Sequence, residues 1–125
     1  MAQVGKHTVK SFRFAFEGLK AVFEGEPNFR VHILITFLVL TLAWVLGFSP
    51  LEFTILLITI GLVLILELVN TAIEETINLI STEFSPRIKL IKDVAAAGVL
   101  LSAILSVIIG VLLFLPKILQ VLNKI

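Results

Sequence analysis

The residues best suited to chemistry lie between Glu67 and Ile80, in the stretch ELVNTAIEETINLI. Three carboxylates and two asparagines follow directly after fourteen uncharged, mostly apolar residues, 53–66. An ionised side chain at membrane depth costs at least about 2.5 kcal/mol on insertion scales, so such groups are in most cases functional. Carboxylates and amides can hold a hydrated divalent cation, and a carboxylate can take a proton from a hydroxyl.

Helical spacing places Glu67, Asn70, Glu74 and Asn78 within an arc of about 80° on one face, whereas Glu75 lies to the side. Glu67 and Glu74 are about 10 Å apart along a helix axis and cannot bind the same ion. We therefore expect one to hold a metal near water and the other to act deeper, on a lipid group. Asn70, between them, offers both a donor and an acceptor.

A structural interpretation remains open for this polar face. The same groups could reach toward the interface or join helices by hydrogen bonds, which is the interpretation we favour for Glu75 and Glu83. His32 also has a structural interpretation, as an interfacial side chain at the start of an apolar run.

Complementary charges lie in the segment SPRIKLIKDVAAAG, residues 85–98. Ser85 and Pro86 are typical of a helix start. Lys92 is either a membrane-flanking anchor or a cation of the site, and Asp93 precedes a run of small residues that lets helices approach closely. A further carboxylate, Glu26, lies in FEGEPNFR, just before the first apolar run.

Composition indicates an integral membrane protein. The chain has 125 residues, of which 58% are hydrophobic, and a mean hydropathy of +1.12; soluble domains are roughly 45–50% apolar. It contains no cysteine, which excludes disulfides and thiol chemistry. We find no phosphate-binding loop, soluble-kinase motif or zinc spacing, and the few basic residues flank apolar runs, so nucleic-acid binding is not expected.

The expected fold is all-α, with one domain over residues 1–125. Three membrane-spanning helices are predicted at 31–50, 51–80 and 85–115, each long enough for a hydrocarbon core of about 30 Å. The GFSP turn separates the first two, and Pro116 is expected to close the third.

Residues 1–30 are predicted to contain an amphipathic surface helix. Phe12, Phe16, Leu19 and Phe23 recur at spacings of three and four and form an apolar stripe. A helix of this kind lies in the membrane interface or packs on a partner subunit.

Charge placement predicts the orientation of the chain. Five Lys and Arg residues precede the first span, none lies between the first two spans, three follow the second and two follow the third. The positive-inside rule then places the N-terminus and the second loop in the cytoplasm and the C-terminus outside. The polar face would lie at the cytoplasmic end of its helix.

The motifs together resemble the prokaryotic diacylglycerol kinase family, which includes the undecaprenol kinases of Gram-positive bacteria. The family signature is E-x-[LIVM]-N-[ST]-[SA]-[LIV]-E-x-x-V-D, and residues 67–78 read ELVNTAIEETIN. The first eight positions fit, Ile77 replaces Val, and Asn78 replaces Asp. The segments KDVAAAGVL and GEPNFR also match, so the resemblance covers about residues 8–115.

This resemblance implies a homotrimeric kinase of the bacterial cytoplasmic membrane that transfers the γ-phosphoryl group of ATP to a lipid hydroxyl with Mg²⁺. By position, Glu26 and Glu74 would bind the metal and Glu67 would be the catalytic base, with Asn70 placing groups near it. The nucleotide would be bound by Lys92, Asp93, Asn78 and Glu74. Undecaprenol and diacylglycerol are both possible substrates, and the loss of an acid at Asn78 predicts altered nucleotide affinity.

Two other functions remain as alternatives. A small proton- or cation-coupled transporter could use Glu67 as its coupling residue. A catalytically silent membrane scaffold is the other, and the Asn78 replacement leaves it open.

Overall fold

Four helices make up the part of the chain described by the structure, a computed structural model covering residues 2–125, with side chains described from residue 5 onward. They are α1 (Ala2–Gly25), α2 (Pro27–Val45), α3 (Pro50–Ile80) and α4 (Pro86–Leu122). The last three are long and apolar enough to cross a membrane, and their most apolar 18-residue stretches have mean hydropathies of 1.7, 2.4 and 2.8. The predicted all-α architecture with three spans is confirmed at this level.

The turn between α2 and α3 forms where the GFSP sequence predicts it. Gly47 has a φ of +73°, a conformation that glycine adopts at little cost. Ser49 caps α3: its hydroxyl accepts from the Glu52 amide at 3.2 Å, and the Glu52 carboxylate accepts from the Ser49 amide at 2.8 Å. This reciprocal capping box fixes the first turn of α3.

The prediction that Pro116 closes the third helix is wrong, because α4 continues through Pro116 to Leu122. Proline removes one backbone donor, and membrane helices tolerate this loss because neighbouring groups adjust. The extension brings Lys117 to Glu52, with Nζ and Oε2 3.3 Å apart. The last part of α4 is therefore attached to the first turn of α3.

The helix that contains the first predicted span begins at Pro27, before residue 31. Proline suits the first helical turn, where its missing N–H would have no partner. One turn later the Arg30 guanidinium donates to the carbonyls of Phe23 at 3.1 Å and Glu24 at 2.8 Å. Arg30 thereby caps α1 from α2, a role that its position as a flanking charge did not suggest.

The interhelical contacts are concentrated between α3 and α4. Leu56, Thr59 and Val63 of α3 are buried, as is Ser102 of α4. Leu56 also packs with Ala43 of α2 and with Phe48 of the α2–α3 turn. Among the described side chains only six apolar ones are buried, so lipid or further protein must cover the remaining apolar surface.

Removal of the α3 cap gives a first test of this fold. We expect Ser49→Ala to lower the free energy of unfolding by about 1 kcal/mol, since an unpaired donor remains at the helix start. Unfolding in mixed detergent–SDS micelles, followed by circular dichroism, measures it. Thr54→Val is the matched control, because its hydroxyl bonds only to the Pro50 carbonyl of its own helix. Equal stability of Ser49→Ala and the native chain would contradict the assignment.

Candidate functional site

The polar face of α3 is the continuation of the face that α3 buries. Leu56, Thr59 and Val63 are buried, and Glu67, Asn70 and Glu74 follow at the same spacing of three or four residues. Ile77, again buried, extends the series by three residues. Since one helical face carries all of these side chains, the polar groups point toward protein and away from the lipid side of α3.

Glu67 is the deepest carboxylate of this face, and its partner is His32 of α2. The distance between Glu67 Oε1 and His32 Nε2 is 3.4 Å, and the two side chains are 13% and 28% exposed. The expectation that His32 is a simple interfacial side chain is therefore incomplete. It lies beside the carboxylate that the sequence identifies as a candidate base.

Asn70 and Glu74 form the middle of the site. The Asn70 amide nitrogen donates to Glu74 Oε1 at 3.4 Å, across one turn of α3. The Asn70 amide oxygen is buried and has no hydrogen-bond partner among the described residues. An orphaned buried acceptor is uncommon in proteins, and it is available to a donor or cation supplied from outside the chain.

At the far end of the face α3 meets α4 through Asn78 and Lys92. Lys92 Nζ donates to Asn78 Oδ1 at 3.0 Å. On the next turn Lys89, rather than Lys92, pairs with Asp93. These four side chains, together with residues 81–85 of the α3–α4 connection, line an open cleft of about 440 Å³. The cleft combines ammonium groups with amide and carboxylate oxygens.

Glu26 occupies the single position between α1 and α2. It is the N-cap residue of α2, but its side chain makes no capping hydrogen bond. The half-buried carboxylate therefore remains available for another partner. The described residues contain no cluster of three or more His, Cys, Asp or Glu side chains that could enclose a metal ion unaided.

Within this single chain the predicted site residues form separate groups and do not all meet at one point. Asn70 contacts Glu74, and Asn78 contacts Lys92, while Glu67 lies with His32. Glu67 and Asn78 are eleven residues apart, or about 16 Å along the helix. This polar face can present a proton acceptor at its apolar end and a polyanion-binding cleft at its other end.

His32 is the main residue of this polar site that sequence reasoning missed. It is the only ionisable side chain in the uncharged run 31–51. An ionisable residue in such a run warrants a functional interpretation, but its partner lies 35 positions away. Only the packing of α2 on α3 identifies that partner.

Comparison with known proteins identifies the family of this chain. The sequence profile of the prokaryotic diacylglycerol kinase family matches residues 13–114. The chain is 41% identical to the undecaprenol kinase of Bacillus subtilis over 108 residues, which is 86% of this chain and 88% of that protein. It is 38% identical to a diacylglycerol kinase of Synechocystis over 121 residues, covering 96% of this chain and 69% of that protein. With the diacylglycerol kinase of Escherichia coli K12 it shares 29% identity over 100 residues, 80% and 82% of the two chains. The chain therefore belongs to the prokaryotic diacylglycerol kinase family, a family of membrane lipid kinases.

Proposed function

We propose that this protein transfers the γ-phosphoryl group of ATP to the hydroxyl of a membrane lipid, either undecaprenol or diacylglycerol. The observation that carries the proposal is the position of Glu67. Its carboxylate lies on the protein-facing side of α3, directly after the buried apolar residues of that face, and Asn78 of the Asn78–Lys92 cleft lies further along the same face. A site that joins a lipid hydroxyl to a water-soluble phosphate donor needs this combination.

In the proposed reaction the lipid hydroxyl oxygen attacks the γ-phosphorus of ATP. The new bond forms between these two atoms, the bond from phosphorus to the β,γ-bridging oxygen breaks, and ADP leaves with that oxygen. Glu67 takes the hydroxyl proton and later releases it to water. Phosphoryl transfer depends mainly on positioning and charge neutralisation, so the base needs only to be within reach and unprotonated.

The donor set at the other end of the site suits Mg²⁺. This ion prefers oxygen ligands, keeps several waters and is held by one or two carboxylates together with substrate phosphates. Glu74 and Glu26 would hold it, and the unpartnered Asn70 oxygen adds a buried acceptor in the same region. Bound there, the ion would neutralise phosphate charge.

The nucleotide would lie in the Asn78–Lys92 cleft. Lys92 would contact the phosphates, and Asp93, Asn78 and Glu74 would complete the nucleotide site. Lys92 has only an amide oxygen as its partner in the structure, so its charge is available to a phosphate group.

The proposed setting is the bacterial cytoplasmic membrane, with the N-terminus and the cleft in the cytoplasm, where ATP is present. The C-terminus would lie outside, in agreement with the charge counts. We propose a homotrimer, as the family resemblance implies, with α1 as the interfacial helix.

Glu67→Gln and Glu74→Gln test the two proposed carboxylates. Transfer of labelled γ-phosphate from ATP·Mg²⁺ to undecaprenol and to diacylglycerol in mixed micelles should fall by at least about 100-fold in both variants, one lacking the base and the other a metal ligand. Glu75→Gln, an exposed carboxylate on the neighbouring face, is the matched control and should keep its activity.

The preferred lipid in this assay identifies the substrate. Absence of transfer to either lipid by a folded, membrane-inserted native chain would contradict the proposal and leave the transporter or scaffold. Full activity of Glu67→Gln would remove Glu67 as the base.

Asn78→Asp restores the acid that the family signature has at this position. The added charge lies next to Lys92, in the proposed nucleotide site, so we expect the KM for ATP·Mg²⁺ and the Mg²⁺ concentration for half-maximal rate to change several-fold. The KM for the lipid should stay constant. Asn123→Asp, at the exposed end of α4, is the control for added charge. Unchanged nucleotide and Mg²⁺ dependence would show that Asn78 lies outside the nucleotide site.

A further inference from the structure

We propose that His32 is a positioning residue for Glu67, an inference that rests on the proposed kinase function. Its imidazole Nε2 lies 3.4 Å from Glu67 Oε1, and both side chains are largely withdrawn from solvent. An ordinary N–H···O hydrogen bond is about 2.9 Å long. Contacts in catalytic sites are often long before substrate binds and shorten in the reacting complex.

The surroundings of His32 leave Glu67 as its natural partner. A small hollow of about 70 Å³ beside the imidazole is lined by α2, α3 and α4, and its polar side chains other than His32 are Thr36 and Ser106. The Thr36 hydroxyl donates to the His32 carbonyl and the Ser106 hydroxyl to the Ala103 carbonyl, both at 2.7 Å. No carboxylate or other charged side chain lines this hollow, so none competes there with Glu67 for the imidazole.

The contact determines which oxygen of Glu67 meets the lipid. The terminal torsion of a glutamate is broad, so the plane of a carboxylate is poorly fixed unless a neighbour fixes it. A hydrogen bond donated by His32 Nε2–H to Oε1, formed as the contact shortens in the reacting complex, holds that plane and leaves Oε2 to take the proton of the lipid hydroxyl. His32 thus acts through Glu67 and does not contact the reacting atoms itself.

This role differs from a purely structural link between α2 and α3. A structural link would serve folding equally well in an enzyme whose Glu67 no longer acts as a base. A positioning residue loses its effect on the rate when Glu67 is already replaced, because the carboxylate that it orients is gone. The two roles are separated by kinetics in single and double variants.

The test measures kcat and KM for His32→Leu and His32→Gln, with and without Glu67→Gln. We expect kcat of His32→Leu to fall about ten-fold, a part of the 10²- to 10⁴-fold effect of a general base, with the KM for ATP unchanged. His32→Gln, which keeps an N–H donor, should recover much of the rate. In the Glu67→Gln background, His32→Leu should cause no further loss. Thr36→Val, in the same hollow, is the control and should retain native kcat.

Two results would overturn the inference while leaving the kinase proposal intact. One is a native kcat for His32→Leu, and the other is an equal further loss when His32→Leu is added to Glu67→Gln. A native chain that transfers no phosphate would overturn the proposed function and this inference with it.

Histidine ring ¹⁵N spectra report on the contact independently of activity. The chain has two histidines, His7 and His32, and His7→Gln assigns them. Glu67→Gln should shift the His32 resonances alone. Unshifted His32 resonances would show that the contact is absent and overturn the inference.

Discussion

A carboxylate that lies at the depth of lipid chains must face protein, and the organisation of this molecule depends on that constraint. Leu56, Thr59 and Val63 define the packing face of α3. Glu67 continues the same face, so its carboxyl group meets His32 instead of hydrocarbon. An unpaired charge in hydrocarbon would cost several kcal/mol. The face that holds α3 against its neighbours is therefore also the face on which chemistry can occur.

Different side-chain contacts hold the two ends of α3 against α4, and together they fix the direction in which the polar face of α3 points. At one end a single oxygen of Glu52 accepts from the Ser49 amide and lies 3.3 Å from Lys117 of α4. At the other end Lys92 of α4 donates to Asn78. Because α3 and α4 are joined near both ends, the polar face between them cannot turn toward lipid without breaking one of these contacts.

Local patterns in the sequence predicted the helices, whereas contacts between different helices could not be predicted from the sequence. Gly47, Ser49 and Pro86 mark helix boundaries through their own backbone preferences, and the structure has boundaries at these residues. The prediction that α4 ends at Pro116 was wrong, because a membrane helix can lose one hydrogen bond without ending. The polar face of α3 followed from periodicity alone. The pairing of His32 with Glu67 did not, since it depends on how two helices distant in sequence pack together.

The connection between α1 and α2 also limits how the chain can change in length. Glu26 is the only residue between these helices, and Arg30 reaches back to the last carbonyls of α1. One residue inserted into the last turn of α1 would rotate its preceding part by about 100° relative to α2, carrying the apolar stripe of Phe12, Phe16 and Phe23 to a different side. Insertions and deletions of a single residue should therefore be excluded next to Glu26.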